Sequence, residues 1–261
     1  MRVMAGRHEL YVQVRGAGAP AVVIEPGFWD DGASLRPFAE RLADTATVLT
    51  YYRAGYAPSS SAGDRRSCDD IAADLAVVID AAAVPRPVVL VGHSFGGIIL
   101  RAYTATHLDR VAGMVLVDSS VEGQALRLAT TRSMRMRLRE ATTPARLVLT
   151  NRRGREGADR RTVLREWRTL HAAIPPYLRP GGLGDRPLAI LTQAPRDPHS
   201  WWQTWHQMHT ELAQLSTNVV HVVADQPGHY IQRAQPALVE SMIRSVIDAA
   251  RTGATLKMDG R

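Results

Sequence analysis

The chain has 261 residues, of which 45% are hydrophobic and 22% are charged. These proportions are ordinary for a globular protein and exclude disordered, collagen-like and coiled-coil chains. The length favours one large domain with an inserted segment. The single cysteine, Cys68, cannot form an intramolecular disulfide or a multi-cysteine metal site, and we expect it to be a structural thiol.

Short apolar runs alternate with helical patterns along the chain. Continuous apolar runs of this kind are typical of strands buried on both faces of a parallel sheet. The predicted strands are 9–14, 21–25, 47–51, 87–92, 111–118, 187–192 and 218–223. A capping box of Ser67 and Asp70 opens a helix that Pro85 ends, a second helix follows at 95–107, and a third begins at Pro236. The alternation predicts a three-layer α/β fold.

The segment between the strands at 111–118 and 187–192 contains no strand-like run. Its helical stretches are at 126–140 and 162–173. We therefore predict a core of residues 1–118 and 187–261 with a helical insertion, residues 119–186, that acts as a lid.

The positive charge of the chain is concentrated in that insertion. Residues 119–186 hold 15 arginines and 6 acidic residues, a net charge of +9, whereas the rest of the chain carries −2. Two interpretations remain open: a solvated face of the lid, or a surface that attracts an anionic or carrier-bound acyl substrate.

No run of about 18 apolar residues occurs, so we expect no membrane span. No apolar signal-peptide region precedes the strand at 9–14, and we expect a cytoplasmic location.

The run Gly92-His93-Ser94-Phe95-Gly96 matches G-x-S-x-G. It follows a buried strand and precedes a helix, which is the context in which this motif presents a nucleophilic serine. The turn would place Ser94 at a helix N-terminus, whose dipole favours developing negative charge. We therefore predict that Ser94 is a nucleophile and that His93 packs beneath the turn.

At this point the sequence resembles the α/β-hydrolase superfamily, and most closely its small bacterial esterase-like serine hydrolases. The G-x-S-x-G turn at residues 92–96, the nucleophile elbow, is the first feature shared with it. The resemblance also rests on motifs after four other strands: Glu25-Pro26-Gly27-Phe28, Tyr51-Tyr52-Arg53-Ala54-Gly55-Tyr56, Leu116-Val117-Asp118-Ser119-Ser120 and Gly228-His229-Tyr230-Ile231-Gln232. It implies an α/β-hydrolase fold with a mostly parallel sheet and a helical lid inserted before the last two strands.

The resemblance also assigns the partners of Ser94. The loop after the last strand carries the histidine in this superfamily, which points to His229 as the base. Two strand-end aspartates, Asp118 and Asp197, compete for the acid. The commoner position favours Asp197, but its loop lacks the usual glycine setting, and Val-Asp-Ser-Ser is prominent in the subgroup, so we favour Asp118.

The oxyanion hole needs two backbone N–H groups, which we assign to Phe28 and Phe95. His206 and His209 lie one helical turn apart, yet no carboxylate or thiol stands at ligand spacing beside them. We therefore favour an aromatic helix near the cleft mouth over a metal site.

Together these features predict a cofactor-independent hydrolase of carboxylic esters or thioesters that acts through an acyl-enzyme. Its expected partner is a small-molecule acyl substrate and not a nucleic acid. The alternatives are an acyltransferase or macrocyclising enzyme with the same triad, and a non-catalytic binding protein on the same scaffold.

Overall fold

The computed structural model describes residues 1–63, 66–129, 142, 158–172, 174–195 and 200–257. The strands are β1 (Arg2–Ala5), β2 (His8–Arg15), β3 (Val22–Glu25), β4 (Val48–Tyr51), β5 (Val88–His93), β6 (Val111–Val117), β7 (Leu188–Ala194) and β8 (Val219–Pro227). The helices are α1 (Arg36–Leu42), α2 (Cys68–Ala81), α3 (Phe95–Thr106), α4 (Gln124–Ala129), α5 (Arg160–Leu170), α6 (Ser200–Leu212), α7 (Ile231–Ala234) and α8 (Pro236–Thr252).

The eight strands form one sheet in the order β1-β2-β4-β3-β5-β6-β7-β8. The first two strands pair antiparallel with their neighbours, and every pair from β4 to β8 is parallel. The carboxyl ends of six parallel strands therefore meet at one edge of the sheet, where the loops that follow them can form a site.

Helices cover both faces of the sheet, as the apolar strands require. The α2 and α3 side chains pack in one buried cluster, and those of α1 and α8 pack in the other. Every residue of β5 is buried, which explains the continuous apolar run from Val88 to Val91. The predicted three-layer α/β-hydrolase fold with a mostly parallel sheet is thus confirmed.

The predicted helix signals are present in the structure. Ser67 is the N-cap of α2, and its side chain and that of Asp70 form both hydrogen bonds of a capping box. Pro236 lies in the first turn of α8. The strand at 218–223 is longer than predicted, because β8 continues through the polar residues to Pro227.

The sequence did not predict β1 or α1. The strand β1 forms a hairpin with β2 through a turn at Gly6, whose φ is +59°. The four residues of β1, three of them apolar, are too few to mark a strand by their pattern. The seven residues of α1 span only about two helical turns, which is too short for a clear helical periodicity.

Within the insertion, the predicted helix at 162–173 corresponds to α5, which begins two residues earlier. The predicted helix at 126–140 overlaps α4 at its start, and its residues from 130 onward lie outside the described residues. Across the described ranges, none of the helices is long and apolar enough to cross a membrane. Cys68 is buried at the start of α2, and burial raises the pKa of its thiol to about 12, as a structural thiol would show.

Candidate active site

Ser94 lies at the sharp turn between β5 and α3. Its backbone has φ 52° and ψ −121°, a region that residues with a side chain rarely adopt. The turn is held because the Ser94 N–H donates to the Val117 carbonyl at 3.1 Å. A Cβ at Gly96 would collide with the backbone carbonyl of Glu25, so a glycine is required there. This local sequence therefore presents Ser94 above the carboxyl edge of the sheet.

The structure brings together Ser94, His229 and Asp118. His229 Nε2 is 2.9 Å from Ser94 Oγ, and His229 Nδ1 is 2.6 Å from Asp118 Oδ2. Asp118 follows β6 and His229 follows β8, so the sheet places both beside the turn after β5. The rival acid, Asp197, lies outside the described residues.

The Asp118 carboxylate is fully buried and accepts four hydrogen bonds. The Gln193 N–H (3.0 Å) and the Trp205 indole N–H (2.9 Å) donate to Oδ1. The Gln193 side-chain amide (2.8 Å) and His229 Nδ1 donate to Oδ2. Burial by itself would raise the pKa of Asp118, but the His229 hydrogen bond and the other donors lower it below its ordinary value. An ionised carboxylate can only accept a hydrogen bond, so its contact with His229 favours a ring proton on Nδ1. In the tautomer that this contact selects, Nε2 can accept a proton from Ser94.

Neither Gln193 nor Trp205 was predicted as a site residue. Trp205 belongs to a run of three tryptophans between residues 201 and 205, which marks the segment as unusual. The direction of its indole depends on how α6 packs against β6 and β7, which a sequence pattern does not contain.

His93 is buried beneath the turn. Its Nε2–H donates to the His229 carbonyl at 3.0 Å, and the two rings are 4.7 Å apart. Burial and the proximity of His229 lower the pKa of His93 to about 3, so the ring is neutral. His93 therefore supports the His229 loop and does not contact Ser94 as a base.

His209 faces the interior and not a shared site with His206. Its Nε2–H donates to the Ser119 carbonyl at 2.8 Å, which leaves Nδ1 as an acceptor for the Thr192 hydroxyl at 2.6 Å. The Thr192 oxygen in turn accepts from His221 Nε2 at 2.7 Å. Burial lowers the pKa of His209, and the chain of hydrogen bonds fixes one neutral tautomer of each ring. These groups stabilise the backbone beside Asp118.

The two predicted oxyanion-hole amides are the backbone N–H groups of Phe28 and Phe95. In the described part of the chain, the Phe28 and Phe95 N–H groups donate to no other protein group. The next amide, that of Trp29, is taken by the Tyr56 hydroxyl at 3.2 Å. Gly27 allows the loop to pass close to His93, because a Cβ there would lie 2.8 Å from His93 Nδ1.

A fully buried arginine, Arg53, holds the loop that carries Phe28. Its guanidinium donates to the backbone carbonyls of Pro26 and Gly27, each at 2.8 Å, and to the Glu25 carboxylate at 2.9 Å. The planar group thus fixes three consecutive residues that lead to the predicted oxyanion-hole amide.

The same arginine joins this loop to the insertion. Glu166 on α5 is fully buried and accepts from Arg53 Nε at 3.0 Å and Nη2 at 3.1 Å. Its second oxygen also accepts from the Tyr56 hydroxyl at 2.6 Å. Neither Glu166 nor this contact was predicted from the sequence, because the ion pair joins residues 113 positions apart.

A cavity of about 510 Å³ opens above Ser94 and His229. Aromatic side chains from the loop after β3, from α5, from α6 and from the loop after β8 form much of its wall. The predicted aromatic helix is α6, whose Trp201 and Trp205 reach this cavity. Ser120, Gln124 and Gln193 add polar groups. The site therefore combines a hydrogen-bonded serine, a histidine and a carboxylate with a space that can hold a small molecule.

Comparison with known proteins gives the family. The model of the alpha/beta hydrolase fold matches residues 20–181. The chain is 24% identical over 237 residues to the uncharacterized protein YqjL of Bacillus subtilis, covering 90% of this chain and 87% of that protein.

Two solved structures share the fold over nearly the whole chain. A thermophilic esterase from Thermogutta terrifontis superposes with a TM-score of 0.72 at 21% identity, covering 97% of this chain and 99% of that one. An enol-lactonase from Burkholderia xenovorans gives 0.71 at 18% identity, covering 95% and 100%. The chain therefore belongs to the α/β-hydrolase family and is a hydrolase of that family.

Proposed function

We propose that this hydrolase cleaves carboxylic esters or thioesters through an acyl-enzyme, with Ser94 as nucleophile, His229 as base and Asp118 as acid. The observation that carries the proposal is the continuous hydrogen-bonded line from Ser94 Oγ through His229 to Asp118. The esterase and the enol-lactonase that share the fold are named for acyl–oxygen cleavage, which supports the same bond class here.

In the proposed mechanism, His229 carries the proton at each step. His229 Nε2 accepts the Ser94 proton as Oγ attacks the carbonyl carbon, and Asp118 stabilises the imidazolium. His229 then returns the proton to the leaving alcohol or thiol as the acyl bond to it breaks. Water repeats the sequence: its oxygen bonds to the acyl carbon as His229 takes its proton, and the acyl–Ser94 bond then breaks. The carboxylic acid leaves, and His229 returns the proton to Oγ.

The negative charge on the carbonyl oxygen needs donors that are already in place. The Phe28 and Phe95 amides are suited to this role because no protein group in the described chain occupies them. Such hydrogen bonds stabilise the charge most when the donors need not move to make them. Arg53 fixes the loop that carries Phe28, because it donates to the carbonyls of Pro26 and Gly27.

The domain division stays part of the proposal: residues 1–118 and 187–261 as the core and 119–186 as a lid. Trp167, Leu170 and His171 of the insertion border the cavity, and Glu166 anchors α5 to Arg53. Such a cover would limit water at the acyl-enzyme, so product analysis should distinguish hydrolysis from transfer to an added alcohol.

Ser94→Ala and Ser120→Ala form a matched pair for the test, because both serines border the same cavity. With p-nitrophenyl butanoate, Ser94→Ala should lower kcat by about 10⁶-fold. Ser120→Ala retains its backbone N–H, which donates to the Ser94 carbonyl at 2.9 Å, and should retain turnover. Turnover by Ser94→Ala close to that of the wild type would overturn the proposed function.

A further inference from the structure

The cavity above Ser94 is unusually rich in indole rings. The chain has five tryptophans, and four of them border this one space: Trp29, Trp167, Trp201 and Trp205. They come from three separate segments, the loop after β3, α5 and α6. Because these rings come from separate segments, the fold and not one local sequence pattern brings them together.

Two of these rings, those of Trp205 and Trp167, are held in place by protein contacts before any ligand binds. The Trp205 indole is fixed by its hydrogen bond to Asp118, and its side chain is buried. The Trp167 ring lies 5.7 Å from that of Phe28 and 3.8 Å from that of His171. Aromatic side chains that are already ordered lose little conformational entropy when a flat ligand binds between them.

The charged side chains that border a cavity constrain the charge of its substrate. Among the described residues that border the cavity there is no arginine, lysine, aspartate or glutamate. Against this described part of the wall, an anionic substrate would lose its water without gaining an arginine or lysine as counterion, and it would face the negative π surfaces of the indoles. A cation could contact those surfaces, but no carboxylate of the described wall would balance it, and the chain has a net charge of +7.

We infer that the substrate of this site is an uncharged ester that carries an aromatic ring. The inference rests on the proposed function and names its substrate class. An uncharged substrate would give the arginines of the insertion no acyl charge to attract, which agrees with the first of their two interpretations, a solvated face.

Four ethyl esters with the same leaving group test the inference on the wild-type protein. They are ethyl 3-phenylpropanoate, ethyl 3-cyclohexylpropanoate, monoethyl glutarate (anionic) and the ethyl ester of 4-(trimethylammonio)butanoic acid (cationic). Cyclohexyl is more hydrophobic than phenyl, so a phenyl preference reports ring–ring contact and not apolar burial. We expect kcat/KM for the phenyl ester to exceed that for the cyclohexyl ester by about 3- to 10-fold. It should exceed that for either charged ester by about 100-fold.

The pair Trp167→Leu and Trp167→Phe locates the preference. The phenyl-to-cyclohexyl ratio should fall to about 1 in the leucine variant and persist in the phenylalanine variant, because only the latter keeps a π face. Trp201→Leu repeats the measurement on α6, should α5 fail to fold around the first substitution.

A binding measurement separates this inference from the proposed mechanism. The Ser94→Ala protein should bind the phenyl ester more tightly than the cyclohexyl ester by the same 3- to 10-fold, measured by quenching of tryptophan fluorescence. Absence of ester turnover in the wild type with this binding preference intact would contradict the mechanism alone. A cyclohexyl ester bound and cleaved as well as the phenyl ester, or a charged ester preferred over both, would overturn the inference.

Discussion

Replacing Asp118 with asparagine tests how the carboxylate controls the histidine. The wild-type carboxylate receives donors on both oxygens: Gln193 and Trp205 on Oδ1, Gln193 and His229 on Oδ2. An asparagine offers an oxygen at only one of these places and an NH₂ group at the other. The substitution is nearly isosteric, so the change lies in hydrogen bonding and not in packing.

The two orientations of the new amide are unequal. If the NH₂ group takes the position of Oδ1, the Gln193 N–H and the Trp205 indole N–H lose their acceptor. Each loss destabilises the folded protein by about 1–3 kcal/mol. With NH₂ in the Oδ2 place, only the Gln193 side-chain amide loses its acceptor. The new amide then donates to His229 Nδ1, and the imidazole proton moves to Nε2. That tautomer presents an N–H to Ser94 Oγ and cannot take its proton. We therefore expect kcat to fall by about 10⁴-fold, or about 5 kcal/mol in the barrier.

The assay is kcat on p-nitrophenyl butanoate, with Asp197→Asn as the control at the competing position. Asp197→Asn should retain turnover. Thermal melts of both variants should show that each is folded. A fall in kcat confined to Asp197→Asn would refute the choice of Asp118 and leave the roles of Ser94 and His229 standing.

The remaining predictions concern the groups that support the site. Trp205→Phe should lower kcat by about 10- to 100-fold, since the buried carboxylate loses one donor, whereas Trp202→Phe on the same helix should cost less; equal effects would contradict this role. Glu166→Ala should lower the free energy of unfolding by about 3 kcal/mol in urea denaturation, because Arg53 keeps its charge in the interior with one fewer partner. His93 has its pKa lowered to about 3 in the folded protein, so the unfolded chain binds the extra proton below pH 6.5. Its contribution to stability is complete above that pH and should fall by about 1.4 kcal/mol per pH unit between pH 6 and 4. Stability that stays constant across that window would contradict a buried neutral ring.

The sequence predicted those parts of the molecule that depend on local patterns. The elbow at Ser94 is a short motif between an apolar run and a helical one, and the α2 capping box involves residues three positions apart. The elbow and the capping box need only the chain within a few residues to be recognised. His229, in contrast, was assigned from the resemblance to the α/β-hydrolases, in which the loop after the last strand carries the histidine.

What the sequence left open depends on contacts between distant segments. Both Asp118 and Asp197 follow buried strands. No sequence pattern shows which of the two carboxylates contacts His229, which lies 111 positions from Asp118 along the chain. The Trp205 indole and the Arg53–Glu166 pair belong to the same class. Their partners are set by the packing of α5 and α6, which propensity and periodicity do not describe.

The covalent adduct of a fluorophosphonate probe tests the central claim most directly. The probe reacts with a serine hydroxyl only where a neighbouring base activates it, and mass mapping of the digested protein identifies the residue. We predict one adduct, on Ser94, that forms far more slowly in Asp118→Asn and is absent in Ser94→Ala. No adduct on the wild type, or an adduct on another serine that persists in Ser94→Ala, would contradict the account.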